Sequence, residues 1–174
     1  SPKQKGDCFE VLTQTFLKLD SDYGNLKKIW RTGEVPHHVR ARLNLFGHDV
    51  TGIDLVAQTD AGKFWAIQCK YHQDDKRSLT REEAIGLIAG RNRAHGEFEL
   101  ALIATTANGR SPHLAGEPDL TFLMGDVWRG LDAEFFARVH AHVMAALGTL
   151  KAACLAGLVC TPSRSIPPNC PTRV

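Results

Sequence analysis

Residues Gly52–Tyr71, GIDLVAQTDAGKFWAIQCKY, are two apolar runs rich in β-branched and aromatic residues, Ile53–Gln58 and Phe64–Tyr71, around a Thr59-Asp60-Ala61-Gly62-Lys63 loop. Asp and Gly between such runs signal strand, turn, strand. Side chains alternate across a strand, so Asp54, Val56 and Gln58 share one face. On the second strand Phe64, Ala66, Gln68 and Lys70 do the same. A hairpin closing symmetrically about Ala61 sets Asp54 opposite Gln68, with Lys70 just beyond. An Asp, a Gln and a Lys then converge at the open end of an otherwise apolar hairpin. A one-residue bulge would break that register.

The sequence around the hairpin continues in the same alternation. Phe9, Leu12, Phe16 and Leu19 recur at helical spacing near the start of the chain. Asp7 followed by Glu10 suits a capping box that would open this helix. Lys27-Lys28-Ile29-Trp30 suits a short strand. His37–Arg42 is basic without clear periodicity, and its adjacent His pair lacks any regular metal-ligand spacing. Thr80-Arg81-Glu82-Glu83 is a second capping box, before a helix with Ala84, Ile85, Leu87 and Ile88 on its apolar side. Arg91, Arg93 and His95 load its last turn, and Gly96 ends it. Phe98–Thr106 reads as a buried strand. Strand, helix, strand implies a right-handed crossover and parallel pairing. Leu120–Met124 makes one more strand. Asp132 caps a last helix whose stripe is Leu131, Phe135, Val139, Val143 and Leu147; His140 and His142 fall on its surface. The expectation is an α/β fold: a mixed central sheet of four or five strands with helices on both faces.

Gly52-Ile53-Asp54 and Gln68-Cys69-Lys70, on adjacent strands, resemble the signature of the PD-(D/E)xK nuclease superfamily: an Asp opening one core strand and (D/E/Q)-x-K on the next. The Gln form is similar to the Mrr-like branch of restriction endonucleases. The wording GIDLVA…GKFWAIQCK looks like the nuclease domain at the N-terminus of large single-chain restriction–modification and helicase-type enzymes. The likeness runs from about residue 6 to residue 147, through Glu10 on the first helix and the strand Leu100–Ala107. It implies a restriction-endonuclease-like fold and hydrolysis of DNA phosphodiester bonds with Mg²⁺, for which Mn²⁺ can substitute. By the same resemblance Asp54 anchors the metal, Gln68 faces it and the Cys69 carbonyl completes the protein ligands. Lys70 orients or activates the attacking water. The resemblance gives Glu10 a role assisting the metal site, beside its alternative as a helix cap. It also places the Thr105-Thr106 strand end near the cleft. Lys27, Lys28, Arg31, Arg40, Arg42 and Arg110 are the candidate DNA contacts. The other readings are a non-catalytic DNA-binding or docking module of the same fold, and a repair or junction nuclease.

Composition sets the outer bounds. At 174 residues, 43% hydrophobic and 23% charged, the chain has room for one domain with a proper core. A net charge of +2 announces no nucleic-acid binder, so basic residues facing DNA would have to be concentrated locally. No apolar run is long enough to span a membrane and no leader-like segment precedes the first helix, which makes the cytoplasm the expected compartment. Five cysteines at irregular spacing form no zinc pattern, and Cys8 and Cys69 read as small buried residues. Residues 1–150 are expected to form the nuclease domain. Residues 151–174, rich in Pro and Ser beyond Thr161, are expected to form a linker or tail. Without a P-loop or a methyltransferase-like glycine motif, helicase, methyltransferase or target-recognition functions would lie on fused domains. Double-strand cutting would call for dimerisation.

Overall fold

The computed structural model describes residues 1–46, 52–74, 76–142, 144 and 145. In chain order the elements are α1 (Pro2–Leu19), β1 (Leu26–Arg31), α2 (His37–Arg42), β2 (Leu55–Thr59), β3 (Phe64–Lys70), β4 (Ser78–Leu79), α3 (Arg81–Arg93), β5 (Phe98–Thr105), β6 (Gly109–Arg110), β7 (Leu120–Leu123) and α4 (Gly125–Arg129). A further helical stretch covers 133–142. The central sheet runs β1-β2-β3-β5-β7, and β4 and β6 form a separate two-stranded pair. β2 pairs antiparallel with both β1 and β3, whereas β3, β5 and β7 run parallel. The mixed five-stranded sheet between helices is the expected α/β architecture.

The hairpin closes as its turn chemistry demands. Leu55 pairs with Ile67, Val56 with Ala66, Ala57 with Trp65 and Gln58 with Phe64, the register symmetric about Ala61. Gly62 takes φ +76°, the left-handed turn position that glycine occupies without penalty. β3 to β5 is too long a connection for a hairpin, and α3 supplies the crossover that makes the pairing parallel. Thr80 starts α3 as expected: its hydroxyl accepts from the Glu83 amide, and Glu83 Oε2 accepts from the Thr80 amide at 2.9 Å.

Alternation along the strands splits the core in two. Leu55, Ala57, Ile67, Leu102 and Ala104 face α1, where Phe9, Phe16 and Leu17 cover them together with Phe135. Trp128 of α4 packs edge-on to Phe9 and Phe16, with ring centroids at 5.1 and 5.2 Å, and its indole N–H donates to the Thr105 carbonyl at 2.9 Å. Val56, Phe64, Ala66, Ala101 and Ile103 face the other way, onto Val39 and Leu43 around α2 and Ala84 and Leu87 of α3. Burying both faces is what lets the parallel strands be almost wholly apolar.

Two local expectations are corrected, and a stretch without clear periodicity takes a definite form. α1 begins at Pro2 under a capping box of Ser1 and Gln4, so Asp7 and Glu10 lie inside the helix and form no cap. The basic stretch His37–Arg42 is a short helix, buried through Val39. Cys8 is exposed, because it lies away from the apolar stripe of α1, while Cys69 is half-buried. Asp132 does cap the last helix, through the Phe135 amide at 2.7 Å, and Leu131, Phe135 and Val139 pack in the α1-side core. Val143, Leu147 and the tail over 151–174 lie outside the described residues.

Candidate active site

Asp54 sits one residue before β2, where the ladder slips. Its amide donates to the Ile67 carbonyl at 2.8 Å, although the register partner of Ile67 is Leu55. Two residues thus meet one across the hairpin, as in a bulge, and a bulge re-aims the side chain it carries. The Asp54 carboxylate accepts the Cys69 amide at 2.6 Å, so it meets the residue after Gln68. The turn that follows β1 ties down the same corner: the Thr32 amide donates to the Asp54 carbonyl at 2.9 Å, and the Thr32 hydroxyl to the Ile53 carbonyl. Just upstream, Gly52 lies against the backbone of α3 at Gly86 and Leu87.

These constraints open a cleft of about 380 Å³ lined by Glu10, Arg31, Thr32, Gly33, Glu34, Ile53 and Asp54. Glu10 reaches it from α1 because, at an interior helical position, its side chain is free of any cap. It pairs with Arg31 at 3.1 Å. Burial pushes the Asp54 carboxyl up from its ordinary range; the Cys69 amide and the positive charge of Lys70 pull it part of the way back. Burial also pushes Glu10 up, reinforced by the negative charge of Asp54 and opposed by Arg31. Two carboxylates that repel each other in a partly desolvated cleft form a site that favours a cation.

Gln68 and Lys70 project from β3 toward the α3 side. Gln68 is only 2% exposed, and its Oε1 has no hydrogen-bond partner, a costly state for a buried carbonyl oxygen. Lys70 is half-buried at the strand end. Its carbonyl accepts the Thr106 amide at 3.3 Å. The Thr106 hydroxyl then clamps the His72 backbone, accepting its N–H at 2.7 Å and donating to its carbonyl at 2.8 Å. The Thr105-Thr106 strand end is thus bound to the end of β3. Cys69 turns its N–H toward β2, and its carbonyl shares that side by the geometry of an extended strand. Burial, with Asp54 close by, pushes the Cys69 thiol well above its usual range. Among the described residues no three His, Cys, Asp or Glu side chains are grouped to hold a metal, so any metal site here needs neutral oxygens as well.

The candidate DNA contacts do not form one patch. Arg31 lines the cleft, and Arg40 donates to the Thr32 carbonyl at 2.7 Å beside it. Lys27 and Lys28 stand exposed on the edge strand, Lys28 with its ammonium 5.9 Å from the Trp30 ring centre. Arg42 pairs with Glu97 at 2.7 Å and lies over Phe64, at the far end of β3, roughly 20 Å of strand from Lys70. Arg110 stacks on Phe122 at 4.6 Å. Sequence reasoning missed the supports of the cleft, Thr32 and the contact of Gly52 with α3. A lone Thr after a short strand carries no signal for either.

A family model described as restriction endonuclease matches residues 18–119, well over half of the chain. That span holds Arg31, Asp54, Gln68 and Lys70; Glu10 precedes it. No curated protein matches the chain. The crystal structure of a protein of unknown function, AF1548, is similar at 25% identity over 55% of this chain, with a TM-score of 0.33, a likeness too slight to carry an argument. The similar region spans 58% of that protein's length. No helix among the described residues is long and apolar enough to cross a membrane.

Proposed function

The chain belongs to the restriction endonuclease family, and from that premise we propose that it is a metal-dependent endonuclease cutting DNA phosphodiester bonds at the Asp54 corner. The observation that carries this reading is the meeting of Asp54 and Glu10 in one cleft, with Asp54 bonded to the amide of the residue before Lys70. The donor set fits a hard divalent ion. Asp54 and Glu10 offer two carboxylates whose pKa values burial raises, and the Cys69 carbonyl lies on the Asp54 side of β3; Gln68, whose buried Oε1 is unpartnered, points to the α3 side and would have to turn toward the cleft to join them. A Gln in place of a carboxylate leaves the site one negative charge poorer, which Glu10 restores. Mg²⁺, or Mn²⁺ in its place, would supply Lewis-acid polarisation of the phosphate and a water of lowered pKa.

The protein's own groups do the rest. Asp54 and Glu10 attract the cation, and the Cys69 amide keeps the Asp54 carboxylate oriented. Lys70, on a backbone fixed by Thr106, orients the attacking water and offsets charge at the scissile phosphate. Arg31 and Arg40 lie nearest for contacts to flanking phosphates. By the same reading this is a Gln-x-Lys, Mrr-like cutting module that works beside helicase, methyltransferase or target-recognition domains, and pairs with a second copy to cut both strands.

Nicking of supercoiled plasmid with Mg²⁺ or Mn²⁺, with an EDTA control, tests it. Lys70→Ala should abolish nicking and keep metal binding by calorimetry, whereas Asp54→Ala should lose both. A chain that neither nicks nor binds either metal sinks the nuclease reading and leaves a non-catalytic DNA-docking module.

A further inference from the structure

Arg31 is the cation already in the cleft. Its guanidinium lies 3.1 Å from Glu10, and both side chains are partly shielded, at 39% and 22% exposure. Its backbone is held, with the amide on Glu34 Oε2 at 3.3 Å and the next residue bonded to the Asp54 carbonyl. The arm can swing while its base stays beside Asp54. Arg31 opposes the repulsion that Glu10 feels from Asp54. A divalent ion drawn to the same two carboxylates is repelled by that guanidinium, since like charges a few ångströms apart in a partly desolvated cleft repel strongly. Once displaced, a guanidinium presents a planar fork of donors suited to a phosphate.

We propose that Arg31 is exchanged between partners: it neutralises Glu10 while the site is metal-free, yields Glu10 to the divalent cation, and then takes a phosphate of the DNA strand. The inference rests on the nuclease reading and goes further, making metal and DNA binding cooperative through one side chain. Linkage requires the effect to be reciprocal.

The test uses the full chain in a Lys70→Ala background, so that duplex DNA stays intact. Calorimetry with Mn²⁺ should show Arg31→Met binding the metal about fivefold or more tighter than its parent, with Arg31→Lys close to the parent. DNA affinity, by fluorescence anisotropy, should rise on adding Mn²⁺ to the parent, and the rise should shrink severalfold in Arg31→Met. A second variant approaches the same exchange from the other side. Glu10→Gln frees Arg31 without metal, so its metal-free DNA affinity should exceed the parent's. A folded Arg31→Met that binds Mn²⁺ no tighter, or a Glu10→Gln with unchanged metal-free DNA affinity, overturns the exchange and leaves the nuclease reading intact. A parent that binds no Mn²⁺ overturns both.

Discussion

Gly52→Ala should destabilise this protein well beyond what its backbone angle alone explains. Gly52 has φ +92°, and an added Cβ would lie 2.5 Å from the Gly86 carbonyl carbon, 2.6 Å from the Leu87 nitrogen and 2.8 Å from the Gly86 Cα. All three are helix backbone, which cannot step aside as a flexible side chain can. Gly62 offers the control: it has φ +76°, and a methyl added there would meet nothing within 4 Å. Gly62→Ala therefore carries the conformational penalty alone, about 1–2 kcal/mol. Gly52→Ala adds an overpacking cost of about 1–3 kcal/mol, for a total of about 2–5 kcal/mol. At about 3 °C per kcal/mol for a domain of this size, Tm should fall about 3–6 °C for Gly62→Ala and about 6–15 °C for Gly52→Ala. Calorimetric melts in EDTA, with urea titrations for ΔG, measure both. Equal losses in the two variants would refute the claim that the chain before Asp54 is seated by close approach to α3.

Asp54→Asn should keep an oxygen for the Cys69 amide while removing a desolvated charge. Metal-free Tm should hold or rise at pH 7.5, and the Tm gain on adding Mg²⁺ should vanish; a variant that still gains stability from Mg²⁺ would take Asp54 out of the metal site. His72 gives a pH dependence. Burial holds this imidazole below its ordinary value despite the nearby Glu83 carboxylate, with Arg77 and Lys70 pushing the same way as burial. A depressed folded-state pKa means the unfolded chain binds the proton more readily. The His72 contribution is therefore complete above about pH 6.5 and is lost as pH falls below that toward the lowered value. Urea unfolding between pH 5 and 7.5 should show a steeper acid-side loss in the parent than in His72→Gln; parallel slopes would deny His72 that role. Thr80→Ala should cost about 1 kcal/mol of stability by removing the cap on the Glu83 amide, read from the same urea curves.

The hairpin, its register, the α3 crossover and both capping residues of the later helices were legible in the sequence because they rest on local chemistry. Period-2 apolar runs, Asp and Gly in a turn, and Thr three residues before Glu act over a few residues, and the tertiary fold had no reason to override them. The first helix misled for the same reason. Asp7 and Glu10 match a capping box, but Ser1 and Gln4 match one too, and it is the Ser1–Gln4 box that caps the helix, which begins at Pro2.

What the sequence determined by itself was the order of elements, the mixed sheet, and the presence of Asp54, Gln68 and Lys70 at one end of one hairpin. The tertiary structure alone decided which groups meet there. Strict alternation sets Asp54 across from Gln68, yet the slip at the head of β2 brings its carboxylate to the Cys69 amide. Glu10 and Arg31 come from α1 and β1, 21 residues apart, and join it only because the helix packs across the sheet there. Six basic residues that look alike in the sequence are separated by the fold into two at the cleft and four elsewhere. Spacing along a chain reports which side of an element a residue occupies; which elements converge is set by how two apolar faces of one sheet are covered, and that balance is global.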